Sequence, residues 1–313
     1  MTTQERLKRI ALQIEEYYST HLDRLDDSKK IHWLTRHYLW LSDSKSKDLL
    51  FKHKNFFFKP TLLGTRRFYA SLYKKSFAHH RRKDSLRKKK INEYPMLYRI
   101  NRILCKALFS KTLFNKDVRT ILPLVIPIKD IVALRQRLMD HQEDMAILST
   151  PALNFLFFSQ WAYGLDPVHP KIYLKLAQDQ IDQSDVHSLR RIFYLCTHAI
   201  IGESLFYSRG ISFHKDVYKK MLRFIDQLIQ DSFKQISLDM KIESLVCARL
   251  LGVKMKSEKD IFDEILGSFS AERPYLIDVL NTYKNKAPSS FSSSEHRNIL
   301  FVLAMSPYSK NFL

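Results

Sequence analysis

Apolar residues recur every three or four positions along nearly all of this 313-residue chain, and strict apolar/polar alternation of strand length is missing. That periodicity predicts an all-α fold of packed antiparallel helices. Glycine agrees with it, because six glycines are too few for the phosphate-cradling loops and tight hairpins that need positive φ. Neither GxGxxG nor GxxxxGK[ST] occurs, which argues against a nucleotide-binding α/β enzyme, and no cofactor is expected.

The apolar spacing predicts helices at 28–41, 61–82, 94–113, 129–145, 151–163, 170–182, 187–208, 213–229, 235–251, 261–269 and 292–306, with another opening near Pro274. No sequence period of a named repeat is present. Upstream, Thr2 and Glu5 have capping-box spacing, and Leu7, Ile10, Ile14, Tyr17 and Leu25 mark a stripe. Charges every few residues make this start unlike a signal peptide. Cys105, Cys196 and Cys247 are widely spaced and free of CxxC pairing, so reduced thiols and a cytoplasmic location are expected. Met145 to Leu165 carries no charge over 21 residues, long enough for a membrane span. Thr150-Pro151 reads as an N-cap and first-turn proline that breaks the run, so a buried core helix is expected and no transmembrane span.

Charge divides the chain unevenly. Residues 51–120 hold 20 lysines and arginines against three acidic residues, out of a net +20 for the whole chain. With the proline-marked "ILPLVIPIKD" at 121–130, this predicts a basic N-terminal helical region, 1–120, and a C-terminal helical array, 121–313; "KNKAPSSFSSS" at 284–294 reads as a loop.

The charge peaks in "KKSFAHHRRKDSLRKKK", where Lys74, Lys75, Arg81, Arg82, Lys83, Arg87, Lys88, Lys89 and Lys90 are candidate polyanion ligands. A block of one sign costs self-repulsion that mere solubility does not demand, so a polyanion is its natural counterpart. Four readings stay open. Nucleic acid is preferred, bound through region 51–90 by phosphate neutralisation without an enzymatic step. An anionic membrane surface would use Phe56, Phe57 and Phe58 as anchors. "RRKDSLRKKK" also has the composition of a nuclear-import address. The bland reading is a solvated helix whose aromatics are core.

A second candidate is a set of polar residues on apolar helices: His198 in "YLCTHAIIGESLFYSRG" and the i, i+4 pair Asp239 and Glu243 in "LDMKIESLVCARLLG". Gly202, one turn from His198, would leave space beside the imidazole. Buried carboxylates need partners, and His198 or Arg191 is the expected donor, either as a structural network or as the acid/base groups of an enzyme or small-ligand pocket. No metal is expected. Cys196 and His198 point about 200° apart on a helix, and Asp239, Glu243 and Cys247 form an unusual ligand set. A protein-interaction scaffold is the third functional class.

Tyr194-x-x-Thr197-His198, Phe206-Tyr207, Gly210, Asp239-x-x-x-Glu243 and Leu250-Leu251-Gly252 together resemble an uncharacterised family of all-helical bacterial proteins with a Thr-His helix followed by an acidic helix. The likeness spans residues 187–252. It implies an α/α-hairpin array, curved or toroidal, and no particular activity. Ser208-Arg209 stands where that family has an aspartate.

Overall fold

The computed structural model describes residues 1–75, 85–179, 186–277 and 290–307. The protein is all-α; among the described residues an isolated bridge between Ser270 and Arg273 is the one β-type pairing. Two compact units form: residues 1–50 with 207–313, and residues 51–206. The expected boundary at 120 does not coincide with either crossing, because helices on both sides of it share the core of the second unit.

The first unit contains α1 (Thr3–Thr20), α2 (Asp27–Leu41), most of α3 (Ser44–Lys52), α12 (Lys215–Asp231), α13 (Leu238–Leu251), α14 (Glu258–Ser268) and α15 (Glu295–Met305). Both arms of the predicted capping box start α1: Thr2 N–H donates to Glu5 Oε2 at 2.7 Å, and Glu5 N–H to Thr2 Oγ1 at 3.2 Å. The buried stripe runs Leu7, Ile10, Ile14 and Tyr18, whereas Tyr17 is half-buried. Tyr18 stacks at 4.4 Å on both Trp33 and Phe291; such aromatic pairs add about 0.5–1.5 kcal/mol each beyond their buried area. α15 begins with four polar residues and continues as the apolar run Ile299 to Ala304, all buried, packing on α13, α1 and α2. Asp226 of α12 fixes the loop after α13 by accepting from the backbone N–H groups of Lys256 and Ser257 and from the Ser257 hydroxyl.

The second unit contains α4 (Leu62–Lys74), α5 (Ser85–Glu93), α6 (Pro95–Phe114), α7 (Ile128–Asp140), α8 (Gln142–Leu148), α9 (Thr150–Tyr163), α10 (Lys171–Asp179) and α11 (Val186–Glu203). α9, from the uncharged run, is the core helix, packed on α6, α7, α8 and α11. Burying Leu153, Phe155, Leu156 and Phe158 contributes about 1.5–3 kcal/mol per side chain. Its N-cap is Ser149 rather than Thr150. No helix among the described residues is long and apolar enough to cross a membrane.

Three predicted helices differ in extent. The one expected at 129–145 is two, α7 and α8, divided at His141, which closes one and opens the other. The one expected at 187–208 ends at Glu203: Leu205, Phe206 and Tyr207 take φ of 46°, 55° and 74°, and Phe206 N–H returns to the Ile201 carbonyl, a left-handed exit that satisfies the last turn. The one expected at 61–82 stops at Lys74. A helix near Pro274 does not form over the described residues 270–277.

Candidate functional site

The charge follows the units. Residues 51–206 carry 27 lysines and arginines against 12 acidic residues, whereas the other unit has 25 against 20. Of the predicted polyanion ligands, Lys74 and Lys75 at the end of α4 and Lys88 and Lys89 on α5 are exposed, as are Arg66 and Arg67 on α4. Among the described residues none of these six forms an ion pair. Arg87 and Lys90 do other work: Arg87 is buried and donates to the Leu148 carbonyl at 2.9 Å, and Lys90 is held by Asp144 at 2.6 Å and Glu93 at 2.9 Å. Helical phase explains the split, since residues 87 and 91 face α6 and α8 while 88 and 89 point away. Arg81, Arg82 and Lys83 lie outside the described residues.

Two of the three phenylalanines expected as membrane anchors are turned inward, and Phe56 is half-buried. Phe57 and Phe58 are buried, with Phe57 against Phe109 and Phe114. Phe56 and Phe57 border a buried cation that no sequence pattern had marked. Lys106 on α6 is 4% exposed; its ammonium donates to the Phe56 carbonyl and sits 3.2 Å from the centroid of the Phe56 ring. Burial drives its pKa down to about 7, opposed by Cys105 and reinforced by Arg102 and Lys59.

His198 lies on α11 in the second unit, its Nδ1 3.1 Å from Asn154 Oδ1. The space expected beside it at Gly202 is filled: a Cβ there would lie 2.1 Å from Cδ2 of Phe157. The glycine admits an aromatic ring from α9 instead of a ligand, which overturns the expected opening.

Asp239 and Glu243 do lie together on α13, in the first unit. Their neighbours include Arg297 and His296 at the start of α15 and, beside Glu243, Tyr207. Arg297 donates to Asp239 Oδ2 at 2.8 Å, and His296 places Nδ1 3.8 Å from Asp239 and Nε2 4.0 Å from Glu243. Burial opposes ionisation of Asp239, but His296 and Arg297 outweigh it and hold the carboxyl well below the usual range. Beside them, His32 of α2 donates from Nδ1 to Glu295 Oε1 at 2.7 Å, and its ring centroid is 5.4 Å from that of His296.

No family model, curated protein or solved structure matches the chain. Cys196 and Cys247 are buried free thiols and Cys105 is half-buried. Among the described residues, no three His, Cys, Asp or Glu side chains are placed to share one metal ion. The sequence signal for the α13–α15 cluster was "EHRN", four consecutive polar residues opening an otherwise apolar helix; its partners on α13 lie more than 50 residues away, and no local spacing links them.

Proposed function

We propose that the second unit binds nucleic acid, single strands above all, through the outward cations of α4 and α5. The observation that carries this reading is that Arg66, Arg67, Lys74, Lys75, Lys88 and Lys89 are exposed and without ion-pair partners among the described residues, on a unit with 27 basic and 12 acidic residues. Cations with no ion-pair partner among the described residues can neutralise phosphates and release counterions, which needs charge density but no sequence motif. Phe51, 58% exposed with the Lys54 ammonium 4.2 Å from its ring centroid, adds a surface on which an unpaired base can stack. Burial of Phe57 and Phe58 removes two of the three anchors that a membrane surface would need.

Fluorescence anisotropy with labelled oligonucleotides tests the reading. Contacts to 6–10 phosphates lower the affinity by about 10³–10⁵-fold between 50 and 200 mM salt. Exchanging the six cations for glutamine should abolish binding at low salt and leave helix content unchanged, whereas K8Q/R9Q on α1 of the other unit should change little. Equal affinity of the sixfold variant and the wild type would refute it.

A further inference from the structure

A solvent-open cleft of about 480 Å³ lies within the second unit, where the ends of α5 and α7 meet the start of α8. That is room enough for one nucleobase. Two of its carboxylates are already neutralised: Lys90 reaches Asp144 at 2.6 Å and Glu93 at 2.9 Å, and Tyr94 donates to Asp144 at 2.8 Å. The other two are exposed. Among the described residues Glu143 has no hydrogen-bond or ion-pair partner, and Asp140 receives only the Gln136 amide, on Oδ1 at 2.7 Å. Arg137, in the same wall, lies over the buried Tyr94 ring at 4.3 Å from its centroid and donates from one terminal nitrogen to the Glu93 carbonyl at 3.2 Å. The ring covers one side of that guanidinium, and because Arg137 is exposed and lines the cleft, the other side is a polar platform of the kind on which bases stack. Gln142, also exposed, adds an amide that both donates and accepts.

A cleft with open carboxylates, set in a unit of 27 basic and 12 acidic residues, turns phosphates away and suits a neutral group that donates hydrogen bonds. An ionised carboxylate accepts through both oxygens and donates through neither. Guanine alone among the bases sets two donors side by side on its Watson–Crick edge, N1–H and the N2 amino group. Adenine and cytosine place a lone pair beside their amino group, and thymine and uracil flank one N–H with two carbonyl oxygens, so each of these turns an acceptor toward a carboxylate. We infer that the cleft is a guanine pocket: a base turned out of a single strand stacks on Arg137, donates N1–H and N2–H to Glu143 with Asp140 beside it, and accepts at O6 from the Gln142 amide. The inference rests on the reading of the second unit as a nucleic-acid-binding body and deepens it by adding a base preference. The course of α5 joins the two. Lys88 and Lys89 are exposed on the same helix that supplies Lys90 and Glu93 to the cleft, and residue 89 lies one turn from residue 93. Phosphates flanking an inserted base therefore meet cations while the base itself meets carboxylates.

The experiment uses the full chain and labelled thymidine strands of equal length, either uniform or carrying one guanine, adenine or cytosine at the centre, read by fluorescence anisotropy. The guanine strand should bind about 5- to 100-fold more tightly than the others, the range expected of one bidentate base contact. E143Q turns an acceptor into a donor and should bring the guanine strand down to the affinity of the uniform strand. D140N, at a second exposed position, should narrow the gap. Equal affinity of the wild type for all four strands, or a guanine preference unchanged in both variants, would overturn the inference and leave the binding proposal standing. Saturation-transfer NMR with free guanosine separates the two readings from the other side. Contact with guanosine that E143Q abolishes, in a chain without affinity for any strand, would support the pocket and defeat the binding proposal; neither guanosine contact nor strand binding would defeat both.

Discussion

Arg297 and Asp239 form an unequal pair: the guanidinium, 4% exposed, donates to a carboxylate whose side chain is 27% exposed, at 2.8 Å. The cost of breaking the pair should therefore depend on which partner is removed. D239N takes a carboxylate away from a buried guanidinium, an expected loss of about 3 kcal/mol. R297M leaves a carboxylate that water can reach, and the Leu276 carbonyl it abandons still receives Asn298 Nδ2 at 3.3 Å, so about 1–2 kcal/mol is expected. Urea melts of both variants measure the difference. The opposite order would mean that Asp239 is the more deeply dependent partner.

What was legible in the sequence follows from the range of the interactions involved. Helix existence was readable because periodicity is local: α12 and α13 stand close to where the spacing put them, and the Thr2–Glu5 box forms with both its bonds. Asp239 and Glu243 could be recognised as needing partners because charge on an apolar helix is costly. The identity of the partner could not be read. His198 was the histidine on the apolar helix upstream, but α15 packs on α13 and brings His296 and Arg297. Gly202 misled for a related reason, since a glycine records that something approaches the backbone without saying whether it is a ligand or Phe157.

His32 should make stability depend on pH. Its imidazole goes from the ordinary 6.5 to about 4, first through burial and then through Arg36, with Glu295 acting in the opposite sense. Between those values the unfolded chain binds a proton at residue 32 that the folded chain does not, so stability falls as pH drops from 6.5 toward 4. A shift of this size amounts to at most about 3 kcal/mol. H32Q should flatten that segment of the profile relative to the wild type. Further acidification, from 3.8 downward, removes what Asp239 contributes, because its folded carboxyl ionises well below that value. Denaturant midpoints between pH 7 and pH 3 check both; parallel wild-type and H32Q profiles would count against a neutral His32.

Lys106 makes a prediction of the same sign on the alkaline side. Burial lowers its pKa from 10.5 to about 7, so between these values the unfolded chain holds a proton that the folded one has released. Wild-type stability should then rise with pH across that window. Lys106→Met removes the titrating group and keeps the apolar stem against Phe56 and Phe57. Replacing a buried charge by an apolar side chain of similar volume is neutral or stabilising by about 1–4 kcal/mol. K106M should therefore be at least as stable as the wild type at pH 7 and lose the rise above it. A loss of several kcal/mol would show that the hydrogen bond to the Phe56 carbonyl and the ring contact outweigh desolvation.

Gly202 gives the sharpest test of packing in the second unit. By helix propensity alone, alanine at this position in α11 should stabilise by about 1 kcal/mol. Against that, the new Cβ would lie 2.1, 2.5 and 2.7 Å from Cδ2, Cε2 and Cγ of Phe157. These are ring atoms of a side chain 6% exposed on the core helix, packed on Tyr173 at 6.1 Å between centroids. The ring has no free end to swing away, so the helices must part or the ring must leave its rotamer, at about 1–3 kcal/mol or more. The steric cost should win, and G202A should be net destabilising by about 1–2 kcal/mol. Shortening the opposing ring supplies the internal control: F157L alone loses apolar contact, and in the G202A/F157L double variant the added methyl occupies the vacated space, so the two changes together should cost less than their sum. Denaturant melts of the three variants read this coupling. If G202A proves as stable as the wild type, the glycine is not held by Phe157, and the space beside His198 becomes a ligand site again.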